Sequence, residues 1–201
     1  NSGAGRRVFI TMCESRVPVR GKPAVFLDRD GVLCVEKGYV TRIRELEIFP
    51  YARKCIQNIH QSGFLAICIT NQSAVGRGMM PEDTLVAIND YLVQELGLDA
   101  LYYCPHLPPG VDGNMPECSC RKPNTGMVDE AVRRFGIDRH ASYMVGDRAT
   151  DIQCGQKAGL QTVLLESGYG IEYSEQLVKP DDTYRDLEEF VRCCLTENRS
   201  S

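Results

Sequence analysis

The residues with the clearest chemical potential stand in "VFLDRDGV", where Asp28 and Asp30 lie two positions apart after an apolar run and Gly31 follows. In an extended chain, side chains at i and i+2 share a side, so both carboxylates can face one point. Glycine lets the chain then turn away sharply. Two carboxylates held that close oppose each other's ionisation unless a cation sits between them. A hard divalent ion such as magnesium takes oxygen ligands of this kind and can draw a phosphate oxygen into the same shell. One carboxylate could attack phosphorus, since aspartate is a covalent nucleophile for phosphoryl groups. The other could give a proton to the leaving oxygen and later take one from water. An ordinary turn after a strand uses the same residue types. This stretch alone supports both readings equally.

Three further segments carry similar potential. In "ITNQS", the Thr70 hydroxyl and the backbone amides after it can hold a phosphoryl oxygen, although a polar junction between strand and loop looks the same. In "CRKP", Lys122 could neutralise phosphoryl charge and Arg121 could fork onto a substrate oxygen. A solvated basic pair is the plainer account of those two. In "MVGDRATD", Asp147 could complete a metal shell with Asp151 in support, while a helix cap is the common use of Asp in such a place. Each signal is modest alone. Together they supply what phosphoryl transfer needs: an in-line nucleophile, a metal, and cations around the equatorial oxygens.

A second constellation is softer. "CPH" at Cys104–His106 and "CSC" at Cys118–Cys120 offer three thiols and an imidazole, separated by a loop rich in Pro and Gly. Three Cys and one His form a tetrahedral zinc set that leaves no open position, so the expected role is structural. Such a loop has little apolar core, and a metal gives it a physical reason to be ordered. Redox pairs or exposed thiols remain the alternative at this level.

The elements that must position these groups follow from the apolar pattern. "PAVFLD", "FLAICIT", "ALYYC", "SYMVG" and "QTVLLES" read as buried strands. Helices are expected after Pro50 up to Gly63, from Pro81 through Leu96, over "GMVDEAVRRFG", over "DIQCGQKAG", and from Leu187 to Leu195. Continuous apolar strands alternating with helices predict an α/β fold with a central parallel sheet covered on both faces. In such folds ligands bind beyond the carboxyl ends of the strands. Asp28, Asp30, Thr70, Asn71 and Asp147 all fall there.

Composition sets the remaining bounds. The chain has 201 residues, of which 43% are hydrophobic and 25% charged, values of an ordinary soluble domain. The expected division is an N-terminal extension over 1–21, in part disordered, and one domain over 22–201. No long apolar run or leader pattern stands out, and a cytoplasmic monomer without membrane partners is expected. The net charge of −4 argues against a surface that grips nucleic-acid backbone. It leaves room for a small anionic substrate in a locally cationic cleft. Of the ten cysteines, Cys34, Cys55, Cys68 and Cys154 read as reduced core residues. Cys13, Cys193 and Cys194 have no assigned role.

Taken together, "FLDRDGV", "KGYV", "TNQSAVGRG", "YYCPH", "CSCRKP" and "YMVGDRATD" make the chain resemble the haloacid-dehalogenase-like (HAD) phosphohydrolases over roughly residues 23–168. The similarity is to the branch of the D-glycero-D-manno-heptose 1,7-bisphosphate 7-phosphatases and histidinol-phosphate phosphatases. It implies a Rossmann-like three-layer sandwich, with Asp28 as nucleophile, Asp30 as acid and base, and Thr70 and Lys122 as phosphoryl stabilisers. It implies magnesium on Asp28, the Asp30 carbonyl and Asp147, and structural zinc on Cys104, His106, Cys118 and Cys120. Glu36, Lys37, Gly38, Tyr39, Asn71, Gln72, Ser73, Arg121 and Arg148 match positions that contact substrate. Neither stretch between the motifs has room for a cap domain, so a capless core with a zinc-binding loop is expected, open to a small phosphorylated metabolite. The long zinc loop looks more like the heptose bisphosphate branch. Cys34, Ala74 and Thr125 depart from frequent residues of the family and leave the chemical groups intact. A polynucleotide 3′-phosphatase, disfavoured by the acidic balance, and a binding module with a dead site are the competing readings.

Overall fold

The computed structural model describes residues 9–12, 20–110, 118–168 and 178–196; Cys13, most of the N-terminal extension and part of the expected zinc loop lie outside them. The strands are β1 (Phe9–Met12), β2 (Ala24–Leu27), β3 (Leu65–Asn71), β4 (Ala100–Cys104), β5 (Tyr143–Gly146), β6 (Gln161–Leu165) and β7 (Asp182–Tyr184). The helices are α1 (Ala52–Gln61), α2 (Glu82–Leu96), α3 (Gly126–Phe135), α4 (Ala149–Ala158) and α5 (Leu187–Phe190). The sheet order is β1-β4-β3-β2-β5-β6-β7. Every pairing from β4 to β7 is parallel, and β1 joins antiparallel to β4, with Phe9 opposite Tyr103.

Strand β2 sits in the middle because it is apolar at every position, as a strand covered on both faces must be. Its side chains alternate between two cores. Val25 and Leu27 pack with the buried stripes of α1, α2 and α5. Ala24 and Phe26 pack with those of α3 and α4. Two helical layers around one sheet are the result. Fully burying a side chain such as Phe26 contributes about 1.5–3 kcal/mol. The helix ends follow local chemistry. In α1, Ala52, Cys55, Ile56 and Ile59 form the buried face. Helix α2 has Glu82 and Asp83 in its first turn, where the helix dipole favours anions. It stops at Gly97, whose left-handed backbone (φ 73°) lets its N–H reach the Val93 carbonyl.

From β2 the chain winds outward through β3 and β4, then returns to the other side of β2 with β5. That reversal places the carboxyl ends of β2, β3 and β5 side by side, where an open α/β sheet binds its ligand. Among the described residues, only a short 3₁₀ turn (Ile43–Glu45) and α1 separate β2 from β3, and only α2 separates β3 from β4. No cap domain is inserted at either place.

Two strands differ from the sequence expectation. β1 comes from the apolar run inside the extension and closes the β4 edge. β7 is a polar tripeptide on the opposite edge, without the alternation that marks a strand. The last helix is also not uniform. After α5 the chain continues as a π-helical turn over Val191–Thr196.

Candidate active site

Asp28 continues directly from β2, and its N–H still pairs with the Val145 carbonyl at 3.0 Å. This carries the nucleophile candidate to the sheet edge on a fixed backbone. Its Oδ1 accepts from the Arg29 N–H at 2.8 Å and lies 3.1 Å from Lys122 Nζ. Lys122 is buried, and its ammonium also reaches Asp151 Oδ1 at 2.7 Å and the Ile69 carbonyl at 2.8 Å. All three of its donors therefore have acceptors. Burial alone would lower the Lys122 pKa, but Asp151 and Asp28 outweigh it and hold the group well above its usual value. Burial, then the neighbouring Asp151 charge, pushes the Asp28 carboxyl up, with Lys122 acting against both.

Asp147 follows β5 and is fully buried. Its carboxylate is seated between two glycines: a Cβ added to Gly31 would lie 2.3 Å from Asp147 Oδ2, and one added to Gly168 only 2.1 Å away. Gly31 has a φ of 85°, which also favours glycine. Ser167 Oγ bonds the Gly31 carbonyl at 2.7 Å and ties the two glycine segments together. Asp151 sits one turn into α4, and its Oδ2 accepts from the Asp147 and Arg148 N–H groups.

Asp28, Asp147 and Asp151 each offer a carboxylate oxygen, all within 4.8 Å of one another. Three buried carboxylates face one ammonium, which leaves an excess of two negative charges (three minus one). Buried charge of one sign is costly unless compensated. An all-oxygen donor set with that excess fits a hard divalent cation. The fit is therefore chemical as well as geometric.

Asp30 turns into a second network. Arg29, fully buried, sends Nη2 to Asp30 Oδ2 at 3.1 Å and to Gln72 Oε1 at 3.1 Å. Gln72 Nε2 donates to Asp30 Oδ2 at 2.9 Å and to Thr70 Oγ1 at 2.8 Å. Asn71 latches the Lys122 backbone in both directions, with Nδ2 to its carbonyl at 3.1 Å and Oδ1 from its N–H at 3.0 Å.

Above these groups opens a cavity of about 830 Å³. Asp28, Asp30 and Lys122 reach its floor, while Thr70 and Asp147 are buried beneath. Of the expected substrate contacts, Glu36, Gly38, Tyr39, Asn71, Gln72, Ser73, Arg121 and Arg148 line it. Lys37 does not; its ammonium pairs instead with Glu47 at 2.7 Å. The sequence reading had no place for Arg77, which lines the mouth with its guanidinium 5.7 Å from the Tyr39 ring centre. Nor did it single out Arg29, and it gave Asp151 only a supporting part. The one available signal for Arg29 was a charge between two aspartates in an apolar stretch. Burial lowers the Arg121 pKa, and the Arg77 and Arg148 charges add to that against the nearby Cys104 and Cys118 sulfurs. Three guanidinium groups thus share the mouth.

Beside the cavity, Cys104, His106, Cys118 and Cys120 bring their ligand atoms within 4.8 Å of one another. His106 Nδ1 lies 3.3 Å from both Cys104 Sγ and Cys120 Sγ, and Cys104 Sγ lies 3.7 Å from Cys118 Sγ. The hydrogen bond between Cys104 and Cys120 lowers the Cys120 thiol pKa, with His106 adding to it, and raises that of Cys104, so the pair shares one proton more readily than two. All described cysteines are free, so the cluster is not a disulfide pair.

Residues 119–190 match a family model described as HAD-hyrolase-like. A D-glycero-beta-D-manno-heptose-1,7-bisphosphate 7-phosphatase of Haemophilus ducreyi is 37% identical over 158 residues, spanning 75% of this chain and 87% of the relative. The chain belongs to the HAD-like phosphohydrolases. The enzyme of the same description from Escherichia coli (strain K12) is 39% identical to this HAD-like protein over 153 residues, or 73% of this chain and 80% of that one. Among solved structures, the D,D-heptose 1,7-bisphosphate phosphatase of B. bronchiseptica, complexed with magnesium and phosphate, has a TM-score of 0.77 at 30% identity. It covers 87% of this HAD-like chain and 99% of its own. As a member of this family, the protein is a phosphoric monoester hydrolase.

Proposed function

We propose that this enzyme removes the 7-phosphate of D-glycero-D-manno-heptose 1,7-bisphosphate through an aspartyl-phosphate on Asp28. The observation that carries this reading is the stacking of two charge layers in one cavity. Asp28, Asp151 and Lys122 form the floor, and Arg77, Arg121 and Arg148 line the same space. A floor of this kind suits one phosphoryl group under attack, and an arginine mouth suits a second anionic group on the same small molecule. The names of the relatives agree with it. Histidinol phosphate instead carries an ammonium, which the arginines repel.

Asp28, Asp147 and the Asp30 carbonyl would hold magnesium, which when bound offsets the carboxylate charge and polarises the phosphoryl oxygens. The protein's own steps then follow. Asp28 Oδ attacks phosphorus and forms an O–P bond as the bond to the sugar oxygen breaks. Asp30 gives its proton to that oxygen, so the product leaves as an alcohol. Water next attacks phosphorus, its proton passes to Asp30, and the bond between Asp28 Oδ and phosphorus breaks to release phosphate, which restores the Asp28 carboxylate and the protonated Asp30. Lys122 neutralises the equatorial oxygens throughout. Cys104, His106, Cys118 and Cys120 would hold zinc in a structural role. Cysteines kept as free thiols fit a cytoplasmic enzyme, and we read it as a monomer that engages neither membrane nor nucleic acid. Among the described residues no helix is long and apolar enough to cross a membrane.

The test compares phosphate release from the heptose bisphosphate, histidinol phosphate and a 3′-phosphorylated oligonucleotide, for the parent and for Asp28→Asn. The bisphosphate should have the highest kcat/KM, and the variant should lose all three activities. Histidinol phosphate ranking first would overturn the substrate; full turnover by the variant would overturn the nucleophile.

A further inference from the structure

Arg29 is the largest fully buried side chain of the described protein, and it lies directly between the two aspartates of the floor. Its contacts are unusual for a core strut. Nε sits 3.2 Å from both Asp30 oxygens, and Nη2 reaches Asp30 Oδ2 and Gln72 Oε1. Gln72 Nε2 closes the ring on Asp30 Oδ2 at 2.9 Å. Asp30 Oδ2 therefore collects two contacts from Arg29 and one from Gln72, whereas Oδ1 has a single one at 3.2 Å. Asp30 itself lines the cavity. Stability alone gives no reason for this arrangement, because a buried ion pair is often matched or bettered by apolar residues of similar volume. What a planar fork does supply is a fixed direction, since guanidinium and carboxylate meet edge to edge.

We propose that Arg29 and Gln72 are positioning residues that clamp Asp30 by its Oδ2 edge and leave Oδ1 to serve the leaving-group oxygen. This rests on the reading of Asp30 as the acid and base. It takes Gln72 from a substrate contact to a part of the acid's support. The clamp serves both proton transfers of Asp30, but only the first, at leaving-group departure, differs between substrates. When the phosphorus–oxygen bond breaks, a proton on Asp30 must meet an oxygen that has just gained the electron pair. A sugar or glycerol alkoxide is a poor leaving group and needs that proton. A p-nitrophenolate is stable as the anion and does not. Loosening Asp30 therefore lowers kcat/KM, which reports the steps up to leaving-group departure, selectively for alkyl phosphates, while the shared hydrolysis step slows kcat for both. Damage to Asp28, Lys122 or the fold lowers kcat/KM for both substrate types alike.

The experiment measures kcat and KM on β-glycerophosphate and p-nitrophenyl phosphate for the parent, Gln72→Leu, Arg29→Met, Arg29→Lys and Asp30→Asn. General acid catalysis contributes roughly 10²–10⁴-fold. Gln72→Leu and Arg29→Met should lower kcat/KM on the alkyl phosphate about 10- to 100-fold more than on the aryl phosphate. Arg29→Lys, which keeps the charge but not the fork, should recover part of the loss. Equal losses on both substrates, or none, in the two clamp variants would overturn the proposal while Asp30→Asn still showed the selectivity. Absence of selectivity in Asp30→Asn would instead overturn the role of Asp30 and the clamp with it. Gln72→Leu, which removes no buried charge, carries the test should Arg29→Met not fold.

Discussion

Replacing Gly168 with alanine asks whether Asp147 must sit where it does. A methyl group there would lie 2.1 Å from Asp147 Oδ2 and 2.8 Å from the Gly31 Cα, whereas ordinary contact begins at 3.4 Å. The backbone at Gly31 cannot yield easily, since its carbonyl is tied to Ser167 and its N–H to the Cys34 carbonyl. The carboxylate must therefore retreat by roughly 1.3 Å. Gly168 has no positive φ, so the methyl group adds no backbone strain of its own. Misplacement of about 1 Å in a reacting constellation can lower the rate on the order of 10²-fold. Overpacking should add about 1–3 kcal/mol of destabilisation. The control is Gly155→Ala, inside α4, whose added Cβ would meet Met144 and Thr162 side chains at 2.7 Å. That change overpacks a comparable site whose clashing atoms are other side chains and not the Asp147 carboxylate. The assay is phosphate release against magnesium concentration, with urea unfolding of each variant alongside. Gly168→Ala should lose activity and need more magnesium, and Gly155→Ala should lose stability only. Full activity with an unchanged magnesium midpoint in Gly168→Ala would refute the role of Asp147.

Elemental analysis of enzyme prepared without chelator should find about one zinc per chain; none would return the four ligands to ordinary loop residues. Stripping that zinc should raise KM more than it lowers kcat, with far-ultraviolet circular dichroism preserved; an intact KM would count against a link between the loop and the mouth. Burial pushes the thiols of Cys34, Cys55 and Cys154 up to about 12 from an ordinary 9.0. The folded state then keeps protons that the unfolded chain releases, so stability should fall as pH rises from 9 toward 12, by about 1.4 kcal/mol per pH unit for each thiol. Urea midpoints at pH 8, 9 and 10 should show this, with a shallower decline in Cys55→Ala; identical slopes would mean that Cys55 does not contribute.

The residues that end apolar strands were legible before any coordinates. "PAVFLD" can only be a covered strand, and Asp28 must follow it to the sheet edge. The same logic reaches Thr70 after "FLAICIT" and Asp147 after "SYMVG". What failed to show was decided by tertiary contact. Lys122 meets Asp151 across 28 intervening positions because α4 packs beside the Cys/His loop, and no spacing rule carries that distance. Arg29 reads as a turn residue until its side chain is seen to fold back on Asp30. β7 is a polar edge strand that exists because β6 offers it an open ladder, and its own residues carry no period. Lys37 shows what a motif match leaves open: it matches a substrate-contacting position, and its ammonium pairs with Glu47.

The Cys/His loop is tied to the site by contacts of different strength, which is why loss of a metal from it should separate KM from kcat. Lys122 stands two residues beyond Cys120, yet its position is set mainly from elsewhere. Asn71 holds its backbone from β3, and Ile69, Asp28 and Asp151 hold its ammonium. Those ties survive if the loop loosens. Arg121 has no comparable set among the described residues: its guanidinium donates to the His106 carbonyl at 3.1 Å, within the loop itself. Removing a metal from the Cys/His cluster would thus free an arginine at the mouth before it disturbed the lysine on the floor. In a capless enzyme the mouth supplies the grip on the rest of the substrate, and the floor performs the transfer. The binding constant and the chemical step are therefore hung on different parts of one short segment, residues 118–122, and can be perturbed one at a time.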